Sequence, residues 1–145
     1  HPTIDVVDLF GYYRRAIEEL KRELPGTVFG HVTVPLTTYP TEAKWRMFRV
    51  IGKEVWEDAA NLKRYEFSER LHEAFASDPI FDLARVESTY PDGSRESQSL
   101  DGKPYFALVP SYTDDGGHLN RVGRQSAARE MLHFLAQAQV HEKGC

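Results

Sequence analysis

Residues with the chemistry for catalysis concentrate in one stretch, Tyr112-Thr113-Asp114-Asp115-Gly116-Gly117-His118-Leu119-Asn120. Asp115 and His118 stand three positions apart with only glycines between them. Glycine gives the backbone access to dihedrals that other residues adopt at a cost, so a tight turn can fold the carboxylate back onto the imidazole. Such a pair orients the ring and supports it as a base, the arrangement a nucleophilic hydrolase needs. Asp115 is then the orienting acid and His118 the base. The same residues also suit a polar turn that does no more than lead into a helix. Asn120 is a favourable N-cap for the periodic segment that follows, and it stands as a candidate substrate contact beside the pair.

Two other chemistries fit less well. Asp114, Asp115 and His118 offer oxygen and nitrogen ligands, which leaves a metal-binding hydrolase as an alternative. A closed metal site needs three or four convergent ligands, and His31, His72 or Asp82 would have to complete it. None of them stands in a recognised metal-binding spacing. Gly116-Gly117 before a helix could attract an anion, but two neighbouring aspartates oppose one and the lysine of a nucleotide loop is missing. No cofactor is implied.

The elements that must position the pair read as follows. Residues 4–24 carry Val6, Leu9, Phe10, Tyr13, Ile17, Leu20 and Leu24 at helical steps, with Thr3 or Asp5 as cap and Pro25-Gly26 as stop. Residues 27–34 are rich in valine and threonine and predict a strand that ends at Pro35. His31 in this strand reads as structural. Residues 35–43 form the loop at the strand's carboxyl end, where open α/β sheets bind ligands. Thr37 and Thr38 are placed there to touch substrate, or equally to make local turn bonds. Residues 44–56 are aromatic and apolar, suited to cover the core or meet a partner.

Residues 58–76 predict a helix with Leu62, Tyr65, Leu71, Ala74 and Phe75 on its inner face. Residues 80–84 predict a short strand. Residues 85–110 form a less regular arm, with turns at Pro91-Asp92-Gly93-Ser94 and Asp101-Gly102-Lys103-Pro104. Residues 120–139 predict the last helix, burying Val122, Ala127, Ala128, Met131, Leu132, Leu135 and Ala136. The tail Val140–Cys145 is expected to fray. The repeated helix-to-strand steps predict a single α/β domain over residues 1–145 with a small parallel sheet.

Composition sets the outer bounds. The chain has 145 residues, 41% hydrophobic and 28% charged, with a formal net charge of -4. That is enough for one domain with its own core. Nothing basic is concentrated enough to predict a nucleic-acid surface. No apolar run approaches a membrane span, so a soluble protein is expected. The lone cysteine, Cys145, excludes an internal disulfide and leaves the compartment open. The first residue is His and no targeting segment is visible, which reads as a processed chain or a fragment.

The block Asp115-Gly-Gly-His118-Leu-Asn120 followed by Gly123 resembles the last block of the SGNH/GDSL hydrolases. Val32-Thr-Val-Pro-Leu-Thr-Thr38 and Leu108-Val-Pro110 resemble segments of one bacterial subgroup, and the resemblance extends over most of residues 5–138. It implies a three-layer α/β/α flavodoxin-like fold, cleavage of acyl or acetyl esters, and Asp115 and His118 as two members of a Ser-His-Asp triad. The family's nucleophile lies in a Gly-Asp-Ser-like block after the first strand, and this chain has no such block. The resemblance therefore implies a C-terminal portion that is nearly inactive alone. Its expected partners are an ester substrate in the complete protein and either a complementary N-terminal segment or a second copy. Against this stands a non-enzymatic α/β interaction domain.

Overall fold

The computed structural model describes residues 5–142. In chain order, α1 spans Val6–Glu23, β1 His31–Val32, α2 Ala43–Val50 and α3 Trp56–Ala74. Then come β2 Ile80–Phe81, α4 Leu83–Ser88, β3 Ser97–Leu100, β4 Lys103–Phe106, a 3-10 turn at Pro110–Tyr112, and α5 Arg121–Glu142. Strands β1 and β2 pair in parallel, His31 with Ile80 and Val32 with Phe81. Strands β3 and β4 form a separate antiparallel hairpin. The fold is mostly helical, 53%, with two small two-stranded sheets. This corrects the expected α/β class: the chain does not form a three-layer α/β/α flavodoxin-like sandwich.

The physical reason lies in how the backbone of residues 33–37 is satisfied. A longer strand would pair its N–H groups with a neighbouring strand. Here Thr33 N–H still donates to Phe81 O at 3.1 Å, but beyond it side chains take over. Leu36 N–H donates to Glu87 Oε2 at 2.6 Å, and Thr37 N–H to Asn61 Oδ1 at 3.0 Å. The strand expected over residues 27–34 thus contracts to His31–Val32. The strand expected over residues 80–84 is cut short in a similar way. Asp82 caps α4, its Oδ1 accepting from Arg85 N–H at 3.0 Å and from Thr33 Oγ1 at 3.1 Å. An N-cap aspartate in front of a short helix overrides the extended tendency of Ile80 and Phe81.

The expected irregular arm over residues 85–110 is in fact α4 and the β3–β4 hairpin. Asp101 and Gly102 have φ of 51° and 76°, the paired positive dihedrals of a tight two-residue hairpin turn. Two apolar clusters result. Phe10, Leu71 and Phe75 pack with Tyr13, Ile17, Phe67 and Ile80. Leu36, Leu108, Val109 and Tyr112 pack with Ala84, Tyr90, Phe106 and Leu119. His31 is buried in the first cluster, stacked 4.3 Å from Phe75. Its Nδ1 meets Tyr13 Oη at 2.7 Å and its Nε2 meets Asp78 Oδ2 at 3.0 Å.

Three further expectations change. Helix α3 buries Asp58, Asn61, Ser68 and Leu71, so three of its four buried residues are polar, and Ala74 is exposed. The predicted buried face of the last helix is largely open: Val122, Leu132 and Leu135 are exposed, as are Ala128 and Ala136. Only Gly123 is fully buried among the described side chains of α5, with Ser126, Ala127, Met131 and Phe134 half-buried. Asp5 caps α1 by accepting from Val7 N–H, while Thr3 and the end of the Val140–Cys145 tail lie outside the described residues. No helix among the described residues is long and apolar enough to cross a membrane.

Glu87 makes the fold pH-dependent. It is buried, and burial pushes its carboxyl up to about 7, against the pull of the Leu36 N–H and the Arg64 charge. The folded chain therefore holds a proton that the unfolded chain releases above its ordinary value. Stability from this group is greatest in acid, falls as pH rises from about 4.5 toward 7, and is flat beyond. The total change is roughly 3 kcal/mol. Glu87→Gln keeps an acceptor for Leu36 and removes the slope. Urea denaturation at pH 5 and pH 8 should show a smaller loss of stability across the interval in the variant than in the wild type.

Candidate functional site

Two glycines and a set of polar residues build the loop between the 3-10 turn and α5. Thr113 and Leu119 form an antiparallel bridge that closes it. Inside, Thr113 Oγ1 accepts from Gly116 N–H at 3.0 Å. Gly116 has φ of 87°, a left-handed backbone that an L side chain rarely adopts. A Cβ there would also sit 2.9 Å from Thr38 Oγ1. The turn brings Asp115 back over the chain that follows it. Its Oδ1 accepts from Gly117 N–H at 2.9 Å and His118 N–H at 2.8 Å, and its Oδ2 lies 2.7 Å from His118 Nδ1.

The electrostatics follow from those contacts. The backbone N–H of His118, then that of Gly117, then the His118 ring hold the Asp115 carboxyl well below the usual carboxylate range. An ionised carboxylate can only accept. In the neutral ring Nδ1 must therefore carry the proton, and Nε2 then keeps the free lone pair. The ring is open to solvent, its side chain 92% exposed against 57% for Asp115. This is the tautomer and orientation that a histidine needs to take a proton from a hydroxyl.

The rest of the loop is held from three directions. Asn120 Oδ1 accepts from Val122 N–H at 3.0 Å and Gly123 N–H at 3.1 Å, capping α5. Its Nδ2 donates to Ser111 O at 3.1 Å and Asp114 Oδ1 at 3.2 Å. The Asn120 side chain thus ties the helix to the loop. Gly123 lets the helix approach closely, since a Cβ there would lie 2.6 Å from Tyr112 O. Thr38 N–H donates to Gly116 O at 2.9 Å, which joins the loop to the segment after β1.

Thr37 and Thr38 both line a cleft of about 680 Å³ that also holds Asp115 and His118. Thr37 is committed to internal bonds. Its Oγ1 donates to Asn61 Oδ1 at 3.2 Å and accepts from Arg64 Nη1 at 3.1 Å. Its carbonyl accepts from Asn61 Nδ2 at 2.7 Å and from Leu108 N–H at 2.9 Å. Asn61, Arg64 and Glu87, which position this wall, were not picked out by sequence reasoning. The available signal was the recurrence of polar residues at 58, 61 and 68 on one helical stripe of α3. Trp45, Trp56 and Glu57 complete the cleft.

No serine hydroxyl among the described residues hydrogen-bonds to His118. Ser111 is exposed and presents its carbonyl to Asn120. Ser88 Oγ is buried and donates to Ala84 O at 2.6 Å. Among the described residues no group of three or more His, Cys, Asp or Glu side chains is arranged to hold a metal ion. His31 serves the apolar cluster, and His72 lies 3.7 Å from Asp82, so neither joins Asp115 and His118. Comparisons with protein-family models, curated proteins and solved structures each find no match.

The double role of Asp115 generates a sharp expectation. In Asp115→Asn the two backbone N–H groups still demand an acceptor at the Oδ1 position. The amide nitrogen must then occupy the Oδ2 position and donate to Nδ1. The ring should switch to the Nε2–H tautomer, as visible in its ring 15N shifts by NMR at alkaline pH. An unchanged Nδ1–H tautomer would show that the carboxylate does not set it.

Proposed function

We propose that this chain supplies the acid–base half of a Ser-His-Asp ester hydrolase of the SGNH/GDSL type, cleaving acyl or acetyl esters. The observation that carries the reading is the 2.7 Å contact between Asp115 Oδ2 and Nδ1 of an exposed His118. The contact is locked by two backbone N–H groups on Oδ1. The block Asp115-Gly-Gly-His118-Leu-Asn120 alone carries the family resemblance, since the mostly helical architecture departs from the three-layer fold that the resemblance implies. His118 takes the proton of a serine hydroxyl at Nε2 and returns it to the leaving alcohol, while Asp115 keeps the ring in place. The serine and the donors for the tetrahedral oxygen come from a segment that complements this chain. Without such donors the largest stabilising contribution is missing, so the chain alone is nearly inactive.

Surfaces to receive a complementary segment are available. Leu9, Tyr12 and Leu20 of α1, Leu24 just after it, Val28 and Val32 around β1, and Leu132 and Leu135 of α5 are all exposed. Strand β1 pairs with β2 alone among the described residues. Apolar faces and an open strand edge favour association. In isolation the chain is expected to self-associate in sedimentation velocity, and a compact monomer at all concentrations would remove the association part of the reading.

The catalytic part is tested with the complete gene product and p-nitrophenyl acetate. Turnover is expected in the complete product and near-background hydrolysis in this chain. His118→Ala in the complete product should lower kcat by about 10⁴-fold or more. Full activity in that variant, or equal activity in the chain alone, would overturn the assignment.

A further inference from the structure

Helix α2, Ala43–Val50, buries none of its residues. Its inner side is nevertheless firmly held. Arg49 pairs with Asp58 through two bonds, Nε to Oδ2 at 2.6 Å and Nη2 to Oδ1 at 2.9 Å, and its Nη1 donates to Pro40 O at 2.9 Å. Trp45 and Phe48, half-buried on the same side, meet edge to face with ring centroids 5.5 Å apart. A bidentate pair of this kind fixes geometry, so the side of α2 that faces outward is set.

That outward side is apolar. Met47, Val50 and the C-cap residue Ile51 stand at steps of three and four, which places them on one face. They are 57%, 85% and 55% exposed. The edges of this face are basic. Helical spacing sets Lys44 along one edge and Arg46 along the other, and Lys53 follows just after the C-cap. From Ala43 to Lys53 the chain carries four basic residues and no acidic one, although its formal net charge is -4. Arg49 is committed to Asp58. Among the described residues Lys44, Arg46 and Lys53 form no ion pair.

An apolar stripe between cations selects among partners. Protein interfaces are depleted of lysine, and this face is bordered by it. A nucleic acid would engage the cations through its phosphates and leave Met47, Val50 and Ile51 against water. A lipid surface with anionic headgroups takes both. The apolar side chains enter the acyl boundary, while the Lys and Arg stems lie along apolar surface and hold their charges among the headgroups. We propose that the outer face of α2 docks this chain on an anionic lipid bilayer, with the helix lying in the plane of the surface. So small an apolar face gives shallow, reversible and salt-sensitive attachment. Docking of this kind is independent of the ester-hydrolase reading, since it concerns where the chain sits and not what it cleaves.

The test is flotation of this chain with vesicles of phosphatidylcholine, either pure or containing about 30% phosphatidylglycerol. At low salt the chain is expected to float with the mixed vesicles and to stay behind with the pure ones. Raising the salt should release it. The double variants Val50→Ser with Ile51→Ser and Lys44→Glu with Arg46→Glu change only exposed positions. Each should weaken binding by at least about tenfold, while Val50→Leu and Arg46→Lys keep most of it. No flotation with the mixed vesicles, equal flotation with both kinds, binding indifferent to salt, or full binding in either double variant would overturn the proposal. So would a self-associated chain that Val50→Ser with Ile51→Ser turns into a monomer while vesicle binding is unchanged, a result that would give the face to a second copy.

Discussion

The buried carboxamide of Asn61 holds the segment on which the candidate site depends. It lies 1% exposed in α3 and makes both of its polar ends count. Its oxygen accepts from Thr37 N–H and Thr37 Oγ1, and its nitrogen donates to Thr37 O. One residue earlier, the Glu87 carboxyl takes the Leu36 N–H. A buried backbone group left without a partner costs about 1–3 kcal/mol, so these two side chains decide where the chain after β1 can run. From there the contacts pass outward through Leu108 to the second apolar cluster and through Thr38 to Gly116. The loop that carries Asp115 and His118 is thus fastened to a segment that is itself fastened by side chains.

That arrangement also explains the architecture. A parallel sheet grows when consecutive strands satisfy one another's backbone over several residues. Here the pairing stops after two residues on each side, because Asn61 and Glu87 on one strand's exit and Asp82 on the other's supply the partners instead. The helices then pack around two separate apolar clusters rather than on the faces of a common sheet. Much of the apolar surface of α1 and α5 has no sheet to cover and stays exposed.

The site combines a rigid acid with an open base. Asp115 has its two oxygens divided between backbone and ring, contacts that orient the carboxylate and favour its ionised form. His118 has solvent on its other nitrogen's side and a cleft beside it that holds aromatic rings, carboxylates and hydroxyls. Orientation of a base is one part of hydrolysis, and donors placed at the developing oxyanion are another. What the described residues contain is an imidazole oriented by a carboxylate.

Reading the amino acids alone was sufficient for the parts governed by neighbours in sequence. The periodicity of residues 58–76 leads to α3, Pro25-Gly26 marks the end of α1, and Asn120 caps α5 through atoms two and three residues away. Asp115 and His118 belong to this group, since the glycines between them allow the contact and no distant residue is needed to form it. What lay beyond reach were the outcomes decided by distant partners. Asn61 and Glu87 are ordinary polar residues on helices until Leu36 and Thr37 arrive beside them. Val122, Leu132 and Leu135 have the spacing of a buried stripe, yet only packing determines whether anything covers it. Local propensity specifies helices, caps and turns, because their hydrogen bonds close within a few residues. Sheet extent, burial and the walls of the cleft depend on which distant backbone groups find partners, and that is decided only when the whole chain folds.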